Sequence, residues 1–357
     1  MSYKKQVEEK LKQLKQKKEE DIIVLGVESS CDETSISIVR GGREILSNIV
    51  ASQIDIHTKF GGVVPEVASR NHIACINNIY DKALKEANIL PNQIDVVAVT
   101  YGAGLIGALF VGVNFAKALA YALGVPLIAV NHIQGHIASN YIASKELKPP
   151  FMCLLVSGAH TSIFNVVDYT TLKLIGQTVD DAVGEAFDKV ARVVGLGYPG
   201  GPKVEAQAKL GKADIVFKKQ NALKNTYNFT FSGIKTAVIN YVSNSTSRGE
   251  KISVPDVCAS FQSLVAKELC EKVLRACQEY NQNTLVIAGG VSANRYIFNY
   301  IKEKGKSLGI VVYAPPIALC TDNGAMVASC GHYNLINGKG ISDINLSAKA
   351  SIDYLNN

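Results

Sequence analysis

Nowhere does this sequence run to the roughly 18 to 20 uninterrupted apolar residues that a membrane-spanning helix requires. The longest candidate starts at Gly102 and is punctuated by Gly104, Gly107, Gly112, Asn114 and Lys117. No membrane association is therefore expected. Equally missing is any C-x-x-C pair among the eight cysteines, Cys31, Cys75, Cys153, Cys258, Cys270, Cys277, Cys320 and Cys330. That excludes a zinc ribbon and gives no sign of a disulfide framework. The chain does not open with a charged tip and an apolar core, so no secretory signal is read, and its early glutamates argue against a transit peptide. These absences point to a reducing, cytoplasmic setting.

What is present suffices for two domains: 357 residues, of which 47% are hydrophobic. The net charge is +6, but the first twenty residues hold seven lysines against four glutamates. Half of the excess thus sits in a tail, and the remainder permits a nucleic-acid partner without demanding one. Within the tail, Val7, Leu11 and Leu14 follow helical spacing. A solvated helical extension is expected over residues 1–21, with a helix that docks a partner as the alternative.

Two segments share one construction. Residues 22–39 and 152–166 each read as an apolar strand, a small polar turn and a second strand opening with Thr-Ser-Ile. A further strand-like piece follows each, at 44–51 and 172–178, before helical periodicity begins. Residues 94–107 and 283–295 repeat a second pattern of buried strand, glycine turn and helix start. The expectation is an α/β duplication with parallel sheets and a ligand between the halves at the strand ends. Pro149–Pro150 marks the boundary, giving subdomains over 22–148 and 149–340, an irregular insertion over about 195–250 and a tail over 341–357. The insertion is read as a lid or substrate-facing piece, with a solvated helical surface as the alternative.

His132 and His136 stand four residues apart after an apolar strand, which puts both rings on one helix face where a metal could be held. A zincin would need glutamate directly after the first histidine; Ile133 is there instead. Asp322, at a strand-to-helix junction, could complete a two-His, one-carboxylate site for iron or zinc, or simply cap the helix. Glycine turns at 157–161, 198–202 and 288–294 allow backbone amides to approach phosphate oxygens and favour nucleotide binding. The acidic turn at Cys31–Thr34 suits a cation or polar substrate group, or a helix cap.

Eleven motifs occur in one order: V-E-S-S-C-D-E-T, G-G-V-V-P-E-V-A-S-R, G-A-G-L-I-G-A-L-F-V-G, N-H-I-Q-G-H, L-V-S-G-A-H-T, G-E-A-F-D-K, Y-P-G-G-P, F-S-G-I-K-T-A-V, A-S-F-Q, A-G-G-V-S-A-N-R and C-T-D-N-G-A-M. Together they closely resemble the TsaD family of tRNA threonylcarbamoyladenosine transferases, bacterial or organellar branch, from about Ile22 to about Asn337. The resemblance implies a duplicated actin/sugar-kinase/Hsp70-ATPase-like α/β fold. It implies transfer of a threonylcarbamoyl group from threonylcarbamoyl-AMP to N6 of the adenosine 3′ of the anticodon, in tRNAs reading codons that begin with A. His132, His136 and Asp322 match the family's ligands for one divalent metal, Fe2+ being favoured over zinc. Leu155, Val156, Ser157, Gly158, Ala159, Asp188, Gly201 and Asn294 match adenylate-binding positions, and Asp32 and Glu33 the acidic catalytic turn. TsaB-like and TsaE-like proteins are the implied partners. Ala159 and Gln134 depart from the family's usual glycine and glutamate. If Ala159 needed a left-handed backbone it would be strained.

No Ser-His or Cys-His nucleophile pairing is visible, which suits an already activated acyl adenylate. Lys209, Lys212, Lys218, Lys219 and Lys224 are candidate phosphate contacts. An ATP-dependent kinase or ATPase of the same fold, a metallopeptidase and a non-catalytic tRNA scaffold are the alternatives.

Overall fold

The computed structural model describes residues 2–217 and 223–352. They fall into two compact units, one of Met1–Pro149, Asp168–Thr171 and Thr321–Asn357, the other of Pro150–Val167 and Leu172–Cys320.

The first unit opens with α1 (Tyr3–Leu14), whose Val7 and Leu14 are buried. One face of this extension packs on the first unit while most of its other residues are exposed. Tyr3 Oη donates to Val125 O at 2.9 Å, and Lys10 and Lys17 both bind Asp95, which also accepts from Ile23 N at 2.9 Å. Strands β1 (Ile23–Glu28), β2 (Glu33–Arg40) and β3 (Glu44–Ser52) form an antiparallel meander because their connections are too short for a crossover. Helices α2 (Ile54–Thr58) and α3 (Pro65–Ala87) follow, α3 with Pro65 in its first turn and Asn88 ending it in left-handed geometry at φ 52°. Next come β4 (Val96–Gly102), α4 (Ile106–Leu123), β5 (Leu127–Asn131) and α5 (His132–Ala143). Strand β4 lies parallel to both β1 and β5.

Helix α4 corrects one expectation. Gly107, Gly112, Asn114 and Lys117 do not interrupt it, and by length and composition it could cross a membrane. Here it is a packed helix: Ala108, Leu109, Val113, Ala116 and Ala120 are buried in the unit's core, and a Cβ on Gly112 would meet Ser29 Oγ at 2.4 Å.

In the second unit, β6 (Phe151–Val156), β7 (Thr161–Val166) and β8 (Leu172–Gln177) repeat the meander. Helices α6 (Val183–Val193), α7 (Gly200–Ala208), α8 (Ser232–Ser247) and α9 (Val254–Glu279) precede β9 (Thr284–Ala288), α10 (Arg295–Lys306) and β10 (Val311–Tyr313). The sheet order is β10-β9-β6-β7-β8, with β9 parallel to β6 and to β10. The stretch expected as a lid or substrate-facing piece also feeds the core, where Val204, Phe229, Phe231, Ile234 and Val238 are buried.

The chain then returns to the first unit with α11 (Gly324–Ile336) and β11 (Ile341–Ser342), completing the order β11-β5-β4-β1-β2-β3. The second subdomain therefore ends at Cys320 and not at residue 340 as expected. Close backbone approach makes this possible. A Cβ on Gly26 would lie 2.2 Å from Gly324 O, and one on Gly331 2.4 Å from the Ala98 Cβ. Both sheets are mixed where parallel ones were expected, since each meander supplies antiparallel strands.

Candidate metal centre and substrate loops

Helix α5 starts at His132 because Asn131 Oδ1 accepts from Ile133 N at 2.9 Å, capping the first turn. One turn later comes His136, and the two rings meet edge to face with centroids 4.6 Å apart. Asp322 Oδ1 faces both, 3.2 Å from His136 Nε2 and 3.6 Å from His132 Nε2. The three donors lie within 4.8 Å of one another. The capping role open to Asp322 is filled by its neighbour: Asn323 Oδ1 accepts from Met326 N at 3.0 Å and starts α11. The aspartate is thereby released for another task.

Burial disfavours charge on His132, yet the negative charges of Asp322 and Glu28 override it and raise the imidazole to about 9. Burial likewise opposes ionisation of Asp322, but His132 and His136 hold that carboxyl well below the usual range. Two imidazoles and a carboxylate converging on one point fit a single divalent cation such as iron or zinc. Ile133, beside the first histidine, is buried.

Three further residues support this group, Glu28 and Ser30 directly and Thr100 through Glu28. Glu28, wholly buried at the end of β1, accepts from Ser30 N and Thr100 Oγ1, each at 2.6 Å. Its Oε2 lies 3.4 Å from His132 Nδ1, and Ser30 Oγ lies 3.2 Å from the same nitrogen. A carboxylate closing an apolar strand was the available signal, because buried charge demands partners.

The acidic turn sits in the same unit. Asp32 is buried, its carbonyl accepting from Gln53 N at 3.0 Å. Burial, then the charges of Asp322 and Asp32, push the Glu33 carboxyl up to about 9. His72, also missed, brackets the turn. Its Nε2 lies 2.9 Å from Cys31 O, which can only accept, so Thr34 Oγ1 donates to Nδ1 at 2.6 Å. Burial keeps this imidazole below its ordinary value, consistent with a neutral ring.

In the second unit, Leu155 and Val156 are fully buried in β6 and have only backbone to offer. Ser157 and His160 close the loop, Ser157 N donating to His160 O at 2.8 Å and His160 N to Ser157 Oγ at 3.0 Å. Gly184 N donates to Ser157 O at 3.1 Å, an approach so close that a Cβ on Gly184 would meet that oxygen at 2.6 Å. Ala159 carries no strain, because Asn88 and Asn281 are the described non-glycine residues with positive φ. Asp188 Oδ1 accepts from Gly200 N at 2.7 Å, so the aspartate holds the start of α7; burial raises its carboxyl despite that bond. Cβ atoms on Gly158, Gly201 or Gly290 would meet nothing within 4 Å. Asn294 caps α10 by accepting from Ile297 N at 3.0 Å and donates to Gln262 Oε1 at 2.8 Å.

Gln134 Nε2 donates to Thr170 O at 3.1 Å, a bond that glutamate could not make as an anion. Among the candidate phosphate contacts, Lys209 pairs with Glu205 at 3.7 Å, and Lys212 and Lys224 use backbone atoms to hold Asp256 and Arg275. Lys218 and Lys219 lie outside the described residues.

Comparison with solved structures shows the fold. Full-length HypF in its phosphate- and nucleotide-bound form matches with a TM-score of 0.58 at 16% identity, covering 94% of this chain and 48% of that one. The (R)-2-hydroxyglutaryl-CoA dehydratase component A of Acidaminococcus fermentans matches with a TM-score of 0.52 at 15% identity, covering 88% and 100%. These likenesses show the fold, the duplicated actin/sugar-kinase/Hsp70-ATPase-like α/β architecture expected. Sequence comparison is more specific. The tRNA N6-adenosine threonylcarbamoyltransferase of Clostridium perfringens (strain 13 / Type A) is 51% identical over 331 residues, covering 92% of this chain and 97% of the relative. That of Clostridioides difficile (strain 630) is 51% identical over 329 residues, covering 92% and 97%. The family model described as "TsaD: tRNA N6-adenosine threonylcarbamoyltransferase" matches residues 44–329. The chain belongs to the TsaD family, transferases that form N6-threonylcarbamoyladenosine in tRNA.

Proposed function

We propose that the donor is threonylcarbamoyl-AMP and the acceptor N6 of the adenosine 3′ of the anticodon, in tRNAs reading codons that begin with A. The amine attacks the carbamoyl carbon, the new C–N bond forms, and the bond to the AMP phosphate breaks, AMP leaving with the electron pair. The amine loses a proton in the same process. Because the donor is already activated, no enzymic nucleophile is required. Holding the two substrates aligned and excluding water is the remaining work.

His132, His136 and Asp322 would hold the divalent cation, Fe2+ in our reading. When bound, it supplies Lewis-acid polarisation of a carbonyl or phosphoryl oxygen. We assign the proton leaving N6 to the acidic turn of Asp32 and Glu33. The backbone of residues 155–159, the Asp188-held turn at Gly200–Gly201 and the Gly290–Asn294 segment would receive the adenylate. The observation that carries this reading is the convergence of three metal donors within 4.8 Å in a chain of this family. Room beside Gly158, Gly201 and Gly290 supports the adenylate assignment.

TsaB-like and TsaE-like proteins would share the tRNA surface, in a cytoplasmic setting that suits eight free cysteines. A kinase would leave the three donors without a task, and a metallopeptidase would lack its glutamate at Ile133. The test is reconstitution with those partners, synthetic threonylcarbamoyl-adenylate and unmodified tRNA, followed by mass spectrometry of the nucleosides. Modified adenosine is the expected product; none from metal-loaded protein would refute the assignment.

A further inference from the structure

We propose that Glu28 is a positioning residue for the metal centre: its carboxylate takes the Nδ1–H of His132 and so fixes Nε2 as the nitrogen presented to Asp322. Four observations meet in this assignment. Glu28 is 0% exposed and ends β1, so its charge must be matched from within. Its two oxygens are separately anchored, Oε1 by Ser30 N and Oε2 by Thr100 Oγ1, both at 2.6 Å, so the carboxylate cannot swing away. The anchored Oε2 lies 3.4 Å from His132 Nδ1, while His132 Nε2 faces Asp322 Oδ1 at 3.6 Å. Ser30, placed by Glu28 through its amide, has its hydroxyl 3.2 Å from the same Nδ1 and 3.5 Å from Asp322 Oδ2.

The directions of these bonds are consistent with one another. If Nδ1–H is donated towards Glu28 and Ser30 Oγ, the serine hydroxyl is free to donate to Asp322 Oδ2. One buried carboxylate then orients two ligands, one directly and one through Ser30. The second histidine is held differently: His136 Nδ1 is buried without a hydrogen-bond partner. His132 is therefore the ligand held by polar contacts at both ring nitrogens, whereas His136 meets Asp322 through Nε2 and has no such support at Nδ1. Carboxylates in this relation to a ligating histidine orient the ring and raise its basicity, and their loss weakens metal binding about 10- to 100-fold.

The inference rests on the metal-centre reading, and metal binding separates the two. Purified full-length protein would be stripped of metal and titrated with Zn2+ alone against a chromophoric chelator. Wild type, Glu28→Gln, Thr100→Val and Asp322→Ala would be compared, with circular dichroism confirming each fold. Thr100→Val removes one anchor of Glu28 without altering any ligand or introducing charge. Asp322→Ala should abolish binding. Glu28→Gln should weaken it about 10- to 100-fold, and Thr100→Val by a smaller factor. A folded Glu28→Gln variant that binds Zn2+ as tightly as wild type would overturn the proposal. Should Glu28→Gln fail to fold, Thr100→Val decides: unchanged affinity overturns the assignment and weakened affinity supports it. Wild type that binds no better than Asp322→Ala would refute the metal centre itself, and the role of Glu28 with it. A zinc-loaded 15N spectrum supplies a further readout, with His132 ligating through Nε2 expected and ligation through Nδ1 contradicting the proposal.

Discussion

His136 Nε2 lies 3.2 Å from Asp322 Oδ1, which joins the helix after β5 to the turn before α11. Replacing either residue should remove the metal, because two remaining donors hold a divalent ion poorly. For His136→Ala and Asp322→Ala, bound metal measured by elemental analysis should fall to background. Modification activity should drop by roughly 10²- to 10³-fold, the loss that follows removal of one electrostatic contact to the transition state. Near-stoichiometric metal in both variants would place the site elsewhere.

The second prediction concerns the N-terminal helix. Asp95 gathers Lys10, Lys17 and the amide of Ile23 around one buried carboxylate. Although burial opposes ionisation, these partners hold its pKa below the ordinary value. Asp95→Ala would leave a buried amide and two amines without their acceptor. Urea denaturation should show a loss of about 1–3 kcal/mol, and limited proteolysis should release residues 1–21 faster. Unchanged stability and protection would mean that α1 contributes no anchoring.

Acid sensitivity follows from His332. Burial first, then the neighbouring Arg43 charge, lower its imidazole from 6.5 to about 4. Between those values the unfolded chain binds the extra proton, so stability rises with pH across that window and is lost as pH falls through it. The loss should amount to about 3 kcal/mol between pH 6.5 and pH 4. His332→Asn should flatten this part of the stability profile, and an unchanged slope would assign the acid effect to other groups.

Glycines at the candidate substrate loops give opposite forecasts. Gly184→Ala drives a Cβ to 2.6 Å from Ser157 O and should cost about 1–3 kcal/mol of stability as the loop is displaced. Gly201→Ala meets nothing within 4 Å, so its melting temperature should match wild type. If the adenylate binds there, the added methyl group should nevertheless raise KM for the donor. Normal KM in Gly201→Ala would remove that position from the binding surface.

The three strands of each repeat are legible in the sequence because each alternates or runs apolar between short polar turns, but their antiparallel pairing, which such short turns force, departs from the parallel sheets expected. The histidine pair was legible for a similar reason, since i, i+4 spacing is local. Asp322 could not be told from a cap by spacing, and only the backbone shows that Asn323 takes that role. Nor could local sequence show that the chain leaves the second unit at Cys320, because a strand-to-helix junction reads alike in either unit. Glu28 and His72 were missed because their partners, Thr100 and His132 for one, Cys31 and Thr34 for the other, come from separate strands and helices.

The contact between Gly26 and Gly324 gives the candidate metal centre a vulnerability remote from its three donors. Asp322 stands two residues before the helix whose first glycine rests on β1, and a Cβ at Gly26 would lie 2.2 Å from the Gly324 carbonyl. A single methyl group there would have to lift α11 from the strand, and the carboxylate two residues before it would shift with it. Every ligand and every polar neighbour would survive in the sequence while the donors no longer converged. In this enzyme, the spacing of the three candidate donor atoms depends on a place that has no side chain at all.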